Sequence, residues 1–154
     1  MLFSARISGD PALAAILAAS PLPQALLVNA DPNPDSALII SRCERFADEI
    51  GTGLIITLLP AAPPGLQHFR VHQAVATLWA FTRQAALEWA PRGIRVNAIG
   101  LGAAPFGPNE ADDQSGRNAA NVLAAPATLD DIAATVHAIA AFASMTGQII
   151  RLGA

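Results

Sequence analysis

Apolar runs separated by proline, glycine and acidic punctuation divide the chain into alternating short and long segments. Leu2 to Ile7 predicts a short strand, and Asp10-Pro11 supplies an N-cap and a first-turn proline for a helix to about Ala19. After a proline-punctuated loop, Ala25 to Ala30 is an apolar run too short for a helix, which predicts a buried strand. From Ser36 to Ile50, Leu38 or Ile39, Cys43, Phe46 and Ile50 recur at helical spacing, with Arg42, Glu44, Arg45, Asp48 and Glu49 largely opposite. Leu54 to Leu59 predicts a second buried strand, stopped by the prolines that begin at Pro60. A long helix follows from about Gln67 to Ala90, striped by Val71, Val75, Leu78, Thr82, Ala85 and Trp89 and stopped by Pro91 and Gly93. Ile94 to Ile99 is a third buried strand, and 102–125 is loop-like in composition. Thr128, with Asp130 and Asp131 in the first turn, opens a helix to about Phe142, and Gln148 to Leu152 closes the chain as a strand.

Alternating strands and helices without hairpin signals predict an α/β fold. It is a Rossmann-like three-layer domain over 1–154, with about five mostly parallel strands, right-handed crossovers and helices on both faces.

Composition narrows the function. At 53% hydrophobic and 14% charged residues the chain has ample material for a core. A net charge of −3 with scattered arginines leaves no electrostatic footprint for nucleic acid or an anionic membrane. No apolar run approaches the roughly 20 residues that span a bilayer. Cys43 is alone, which excludes an internal disulfide and multi-cysteine metal sites and fits a reducing, cytoplasmic setting. All nine basic residues are Arg, and the chain contains neither Lys nor Tyr. Chemistry that needs a phenol or an amine is unavailable.

Several segments carry a family likeness. FTRQAALEWAPRGIRVNAIGLG (81–102) resembles the segment of short-chain dehydrogenases/reductases that usually reads LTRxLAxELAPxGIRVNAVxPG. PATLDDIAATVHAIA (126–140) is similar to TPEDIAxAVxFLA, and TGQIIRLGA (146–154) to TGQxIxVDGG. LLVNAD (26–31) resembles LVNNAG, GLIITLLP (53–60) GRIVNISS, and SGDPALAAIL (8–17) VxDPAxVxxL. The likeness implies a nicotinamide-dependent oxidoreductase fold. The family's opening strand and its TGxxxGIG turn nevertheless have no counterpart, which implies an N-terminally truncated chain beginning at the family's third strand.

The resemblance also places the family's catalytic Ser on Pro60, its Tyr on Val71 and its Lys on Val75. A register shifted by two puts Phe69 and Gln73 in the last two places. Neither register supplies a phenol to protonate a carbonyl or an ammonium to lower its pKa, so no dinucleotide cofactor and no family chemistry are expected. The family's catalytic Asn falls on Asn33, squeezed between Pro32 and Pro34. Asn29 matches the second Asn of NNAG, although without the glycine turn an Asn holding backbone groups at a strand end is the favoured account. Gly102 matches the glycine of the family's PG turn, and a chain reversal explains it as well.

His72 and His68 stand four apart without a carboxylate in the same turn, which argues against a metal site. His137 reads as a partly exposed packing residue, and Glu110, Asp112 and Asp113 as a solvated loop. Trp79 and Trp89, ten residues apart and roughly on one side of the long helix, with Phe46 on the preceding one, predict an aromatic surface for a second subunit, as the family's corresponding helices pack; the alternative is intrachain packing against the helix at 36–50.

The leading expectation is a non-catalytic protein acting through a homodimer or as a subunit beside an SDR-like relative. One alternative is a cofactor-free isomerase, dehydratase or cyclase whose crevice is lined by Asn29, Asn33, Val71, His72 and Gly102, with His72 as base. Another is an apolar small-molecule binder in the same crevice.

Overall fold

The computed structural model describes residues 6–9, 11–19, 26–30, 35–60, 68–101 and 127–153. Five strands, β1 (Arg6–Gly9), β2 (Leu26–Ala30), β3 (Gly53–Leu59), β4 (Ile94–Leu101) and β5 (Ile149–Leu152), form one sheet in that spatial order. Every neighbouring pair is parallel. The helices are α1 (Pro11–Ala18), α2 (Ser36–Ile50), α3 (Phe69–Trp89) and α4 (Leu129–Ala141).

The caps explain the helix boundaries. The Asp35 side chain accepts from the Leu38 amide at the start of α2. Thr128 and Asp131 form a reciprocal capping box on α4, and the Thr128 amide and hydroxyl, both donating to the Asp131 carboxylate, hold it below its usual pKa. A 3-10 turn, Ala90–Arg92, ends α3 at Gly93, whose φ of 74° is left-handed. A Cβ there would meet Thr52 Cγ2 at 3.2 Å, so space as well as backbone demands glycine.

Strands covered on both faces read as continuous apolar runs. On one face α1 and α4 bring Leu13, Leu17, Ile132 and Val136 onto Leu26, Val28, Leu54, Ile56 and Ile99. On the other, α2 and α3 bring Ile39, Phe46, Leu78 and Trp89 onto Leu27, Ile55, Val96 and Ala98.

This arrangement corrects the expected handedness. Parallel strands that neighbour each other in chain order all step across the sheet in one direction, so helices on opposite faces belong to crossovers of opposite hand. Two of the four crossovers are therefore left-handed, against a strong general preference. Uniform right-handedness would put all four helices on one face and leave the other open to water. Each Leu or Ile so exposed forfeits about 1.5–3 kcal/mol.

The position of β1 is a second feature of the sheet. In the common 3-2-1-4-5-6 order two strands separate the third from the fourth, whereas the first adjoins it. β1 pairs directly with β2, Ser8 opposite Asn29, so the segment that resembles the family's third strand occupies the place of the first. Smaller differences are at the ends: β1 runs to Gly9 rather than Ile7, and β4 continues to Leu101. Residues 1–5 and the loop at 102–125 lie outside the described residues.

Candidate functional site

Open α/β sheets place ligands outside the C-terminal ends of their strands. Pro60 directly follows β3 there and is buried, offering no hydroxyl. Val71 and Val75 lie in the first turns of α3, both half-buried, and Val75 packs against the core beneath α2 and α3. In the shifted register Phe69 is 60% exposed and Gln73 is exposed. His72 is exposed, and His68, half-buried at the N-cap of α3, makes no side-chain cap bond. No group of three or more metal-ligating side chains occurs among the described residues. Asn33, Gly102, Glu110, Asp112 and Asp113 lie outside the described residues.

Asn29 belongs to a polar row across the sheet. Register sets Ser8, Asn29 and Thr57 side by side on β1, β2 and β3, facing α2. The Ser8 hydroxyl donates to Asn29 Oδ1 at 3.2 Å, Asn29 Nδ2 donates to Cys43 Sγ at 3.4 Å, and Arg42 reaches Ser8 at 3.4 Å. Burial pushes the Cys43 thiol up to about 12, although the Asn29 bond pulls the other way. The Thr57 hydroxyl approaches the same sulfur without reaching hydrogen-bond geometry. The thiol is therefore protonated and inert near neutrality, and Asn29 holds side chains together rather than backbone groups.

A second polar assembly escaped the sequence reading. Asn97 on β4 is fully buried; its Nδ2 donates to the Met145 carbonyl at 3.0 Å and its Oδ1 accepts from the Gln148 amide at 3.1 Å. The Val96 amide donates to Thr146 Oγ1 at 3.1 Å, and the Gly147 amide to the Val96 carbonyl at 2.7 Å. Arg95 donates to the carbonyls of Ile139, Ala140 and Phe142 at the end of α4. The turn at Met145–Gln148 is thus pinned to β4. A polar residue at an interior position of a buried strand was the available signal, because such a group must find partners.

The pinned turn walls one side of a groove of roughly 280 Å³ between α3 and β5, lined by Trp79, Arg83, Gly147, Gln148, Ile149 and Arg151. The Arg151 guanidinium lies over the Trp79 ring, 5.0 Å from its centroid.

The predicted aromatic surface is not exposed. Phe46 is 2% and Trp89 8% exposed, both in the core under α2 and α3, and Phe81 meets Trp89 edge-on at 5.8 Å. At 100° per residue, ten residues leave about 80° between Trp79 and Trp89, so the two diverge and Trp79 is only half-buried. The outer apolar positions of α3 are instead Phe69 and Leu87, the latter 75% exposed.

The parallel five-stranded sheet with helices on both faces defines an α/β, Rossmann-like protein with the fold of the short-chain dehydrogenases/reductases. No protein-family model matches the chain, and no curated protein matches it. Among solved structures it is similar to acetoin dehydrogenase YohF from Salmonella typhimurium, at 22% identity and a TM-score of 0.61 over 82% of this chain and 62% of that one. It is also similar to sorbitol-6-phosphate 2-dehydrogenase SrlD from Erwinia amylovora (18%, 0.60, 82% and 66%). A third is a short-chain dehydrogenase/reductase from Brucella ovis (19%, 0.56, 82% and 67%). The chain therefore spans about two thirds or less of the first two and 67% of the third. Among the described residues no helix is long and apolar enough to cross a membrane.

Proposed function

We propose that this is a non-catalytic SDR-like protein that acts by association, as a homodimer or as the partner subunit of an SDR-like relative, through the outer face of α3. One observation carries the reading: the apolar outer positions of α3 are symmetric about the level of Leu78. Phe69 and Leu87 each stand nine residues from it, and Ala76 and Ala80 each stand two. Eighteen residues make five turns, so Phe69 and Leu87 share one direction about 27 Å apart, with the two exposed alanines within about 20° of it. An antiparallel copy related by a two-fold axis would set each Phe69 on the partner's Leu87, and the central alanines permit close helix approach.

The loss of chemistry supports the same reading. Pro60, Val71 and Val75 stand where the resemblance requires the hydroxyl, the phenol and the ammonium, and no Tyr or Lys exists elsewhere to replace them. A nicotinamide dinucleotide also fits these residues poorly. The helix after the strand in the first-strand place opens with Pro11, which has no N–H to offer a phosphate, and the preceding Asp10 is an anion.

Native mass spectrometry and light scattering at micromolar concentration test the association. The expected result is a dimer, or a complex with a co-purifying SDR-like subunit, which Ala80→Arg dissociates without changing the circular dichroism spectrum. A chain that stays monomeric and retains no such subunit refutes it. Titration with NADH and NADPH, followed by melting temperature, is expected to give no shift. A dinucleotide present at 100 times its Kd would add about 2.7 kcal/mol and be plainly visible.

A further inference from the structure

We infer that the groove between α3 and β5 is a binding site for a small oxyanion, the carboxylate or phosphate group of a small molecule. Two arginines, Arg83 from α3 and Arg151 from β5, line this one depression. Among the described residues neither has a carboxylate partner, whereas Arg6 holds Glu49 at 2.6 Å and Arg92 holds Asp48 at 3.5 Å. Two cations sharing a groove in a chain of net charge −3 repel each other. An oxyanion between them converts that repulsion into charge-assisted hydrogen bonds, and the guanidinium fork matches both carboxylate and phosphate.

The walls are preorganised. Arg151 is held over the Trp79 ring at 5.0 Å, and Gly147 and Gln148 are fixed to β4 by the Val96 carbonyl and by Asn97. Binding therefore orders little besides the exposed Arg83 side chain, which favours a ligand too small to supply much contact of its own. At roughly 280 Å³ the groove is at the small end of ligand sites and takes an acidic head group rather than a dinucleotide. None of Pro60, Val71 and Val75 lines the site, whereas Arg83 stands about 40° from the centre of the α3 face proposed for association, so anion binding and oligomeric state are measured separately.

Trp79 reports on occupancy. The chain has two tryptophans, so Trp89→Phe leaves Trp79 as the only one. The expected result is a saturable change in its emission on titration with inorganic phosphate or with acetate at constant ionic strength; whichever arm saturates at lower concentration identifies the head group. Arg83→Gln and Arg151→Gln should each weaken the response about ten-fold or more, and Arg45→Gln, on α2, should leave it unchanged. Isothermal calorimetry of the wild-type chain with the same two anions gives the same reading should Trp89→Phe fail to fold. No saturable binding in either arm, an equal response to chloride, or binding that survives the double replacement of Arg83 and Arg151 overturns the proposal.

Discussion

Replacing Asn97 by Ala tests whether the last turn and strand depend on one buried amide. The substitution removes both bonds that Asn97 makes, the donation to the Met145 carbonyl at 3.0 Å and the acceptance from the Gln148 amide at 3.1 Å. The two losses are unequal. The Met145 carbonyl keeps a long contact from Arg95 at 3.4 Å, whereas no other hydrogen bond from the Gln148 amide is seen among the described residues. A buried orphaned N–H costs about 1–3 kcal/mol and a lost neutral bond about 0.5–1.5, and because Gln148 is exposed the lower part of the range, roughly 1.5–3 kcal/mol in total, is expected. Against a typical stability of about 5–15 kcal/mol this is a large fraction. For a chain of this size its upper end, about 3 kcal/mol, corresponds to a fall of roughly 6–12 °C in melting temperature. Urea unfolding followed by circular dichroism measures it, with the slope unchanged if the denatured state is unaltered. Asn97→Asp adds a pH signature. It keeps the acceptor for Gln148 but buries a carboxylate, so its stability relative to wild type should recover as pH falls and the group protonates. A change for Asn97→Ala below about 0.5 kcal/mol at constant slope would refute the assignment of Asn97 as the pin.

Other outcomes follow from the same contacts. Cys43 should react with a thiol reagent only as fast as the protein unfolds. Because its folded pKa is raised from 9.0 to about 12, the stability it contributes is complete below pH 9 and is lost as pH rises from there towards 12; Cys43→Ala should flatten that decline in alkaline urea titrations. Thr128→Ala should cost about 1 kcal/mol through the lost cap of α4, read by denaturant midpoint. Asp131, whose pKa is lowered by the Thr128 bonds, contributes stability that is present above pH 3.8 and lost as pH falls below it, so Asp131→Asn should remove part of the acid sensitivity. Gly93→Ala combines a left-handed φ with a 3.2 Å approach to Thr52 and should destabilise by at least about 1 kcal/mol in the same assay.

Local chemistry was legible wherever the deciding interactions are close in sequence. The span of α2, the Thr128 cap with its first-turn aspartates, the Pro91–Gly93 stop and the parallel character of the sheet all follow from periodicity, caps and strand composition. The absence of Tyr and Lys, and Pro60, Val71 and Val75 at the places the resemblance assigns, are equally sequence facts. The role of Trp79, Trp89 and Phe46 was not legible in the same way. A helical stripe gives a direction around an axis, but which direction faces the sheet depends on where neighbouring elements dock, and docking turned Phe46 and Trp89 inward.

The sequence by itself determined which elements form and which chemistry is unavailable, since both depend on residue type and short spacing. Only the tertiary structure decided the rest. Burial of both sheet faces outweighed the handedness preference and set β1 in the first-strand place. Asn97 became the anchor of a turn some fifty residues away in the chain, and Arg83 and Arg151 came to line one groove although 68 residues separate them. Such contacts bring together distant segments whose meeting no local spacing encodes, and they form because the apolar faces of the strands must be covered.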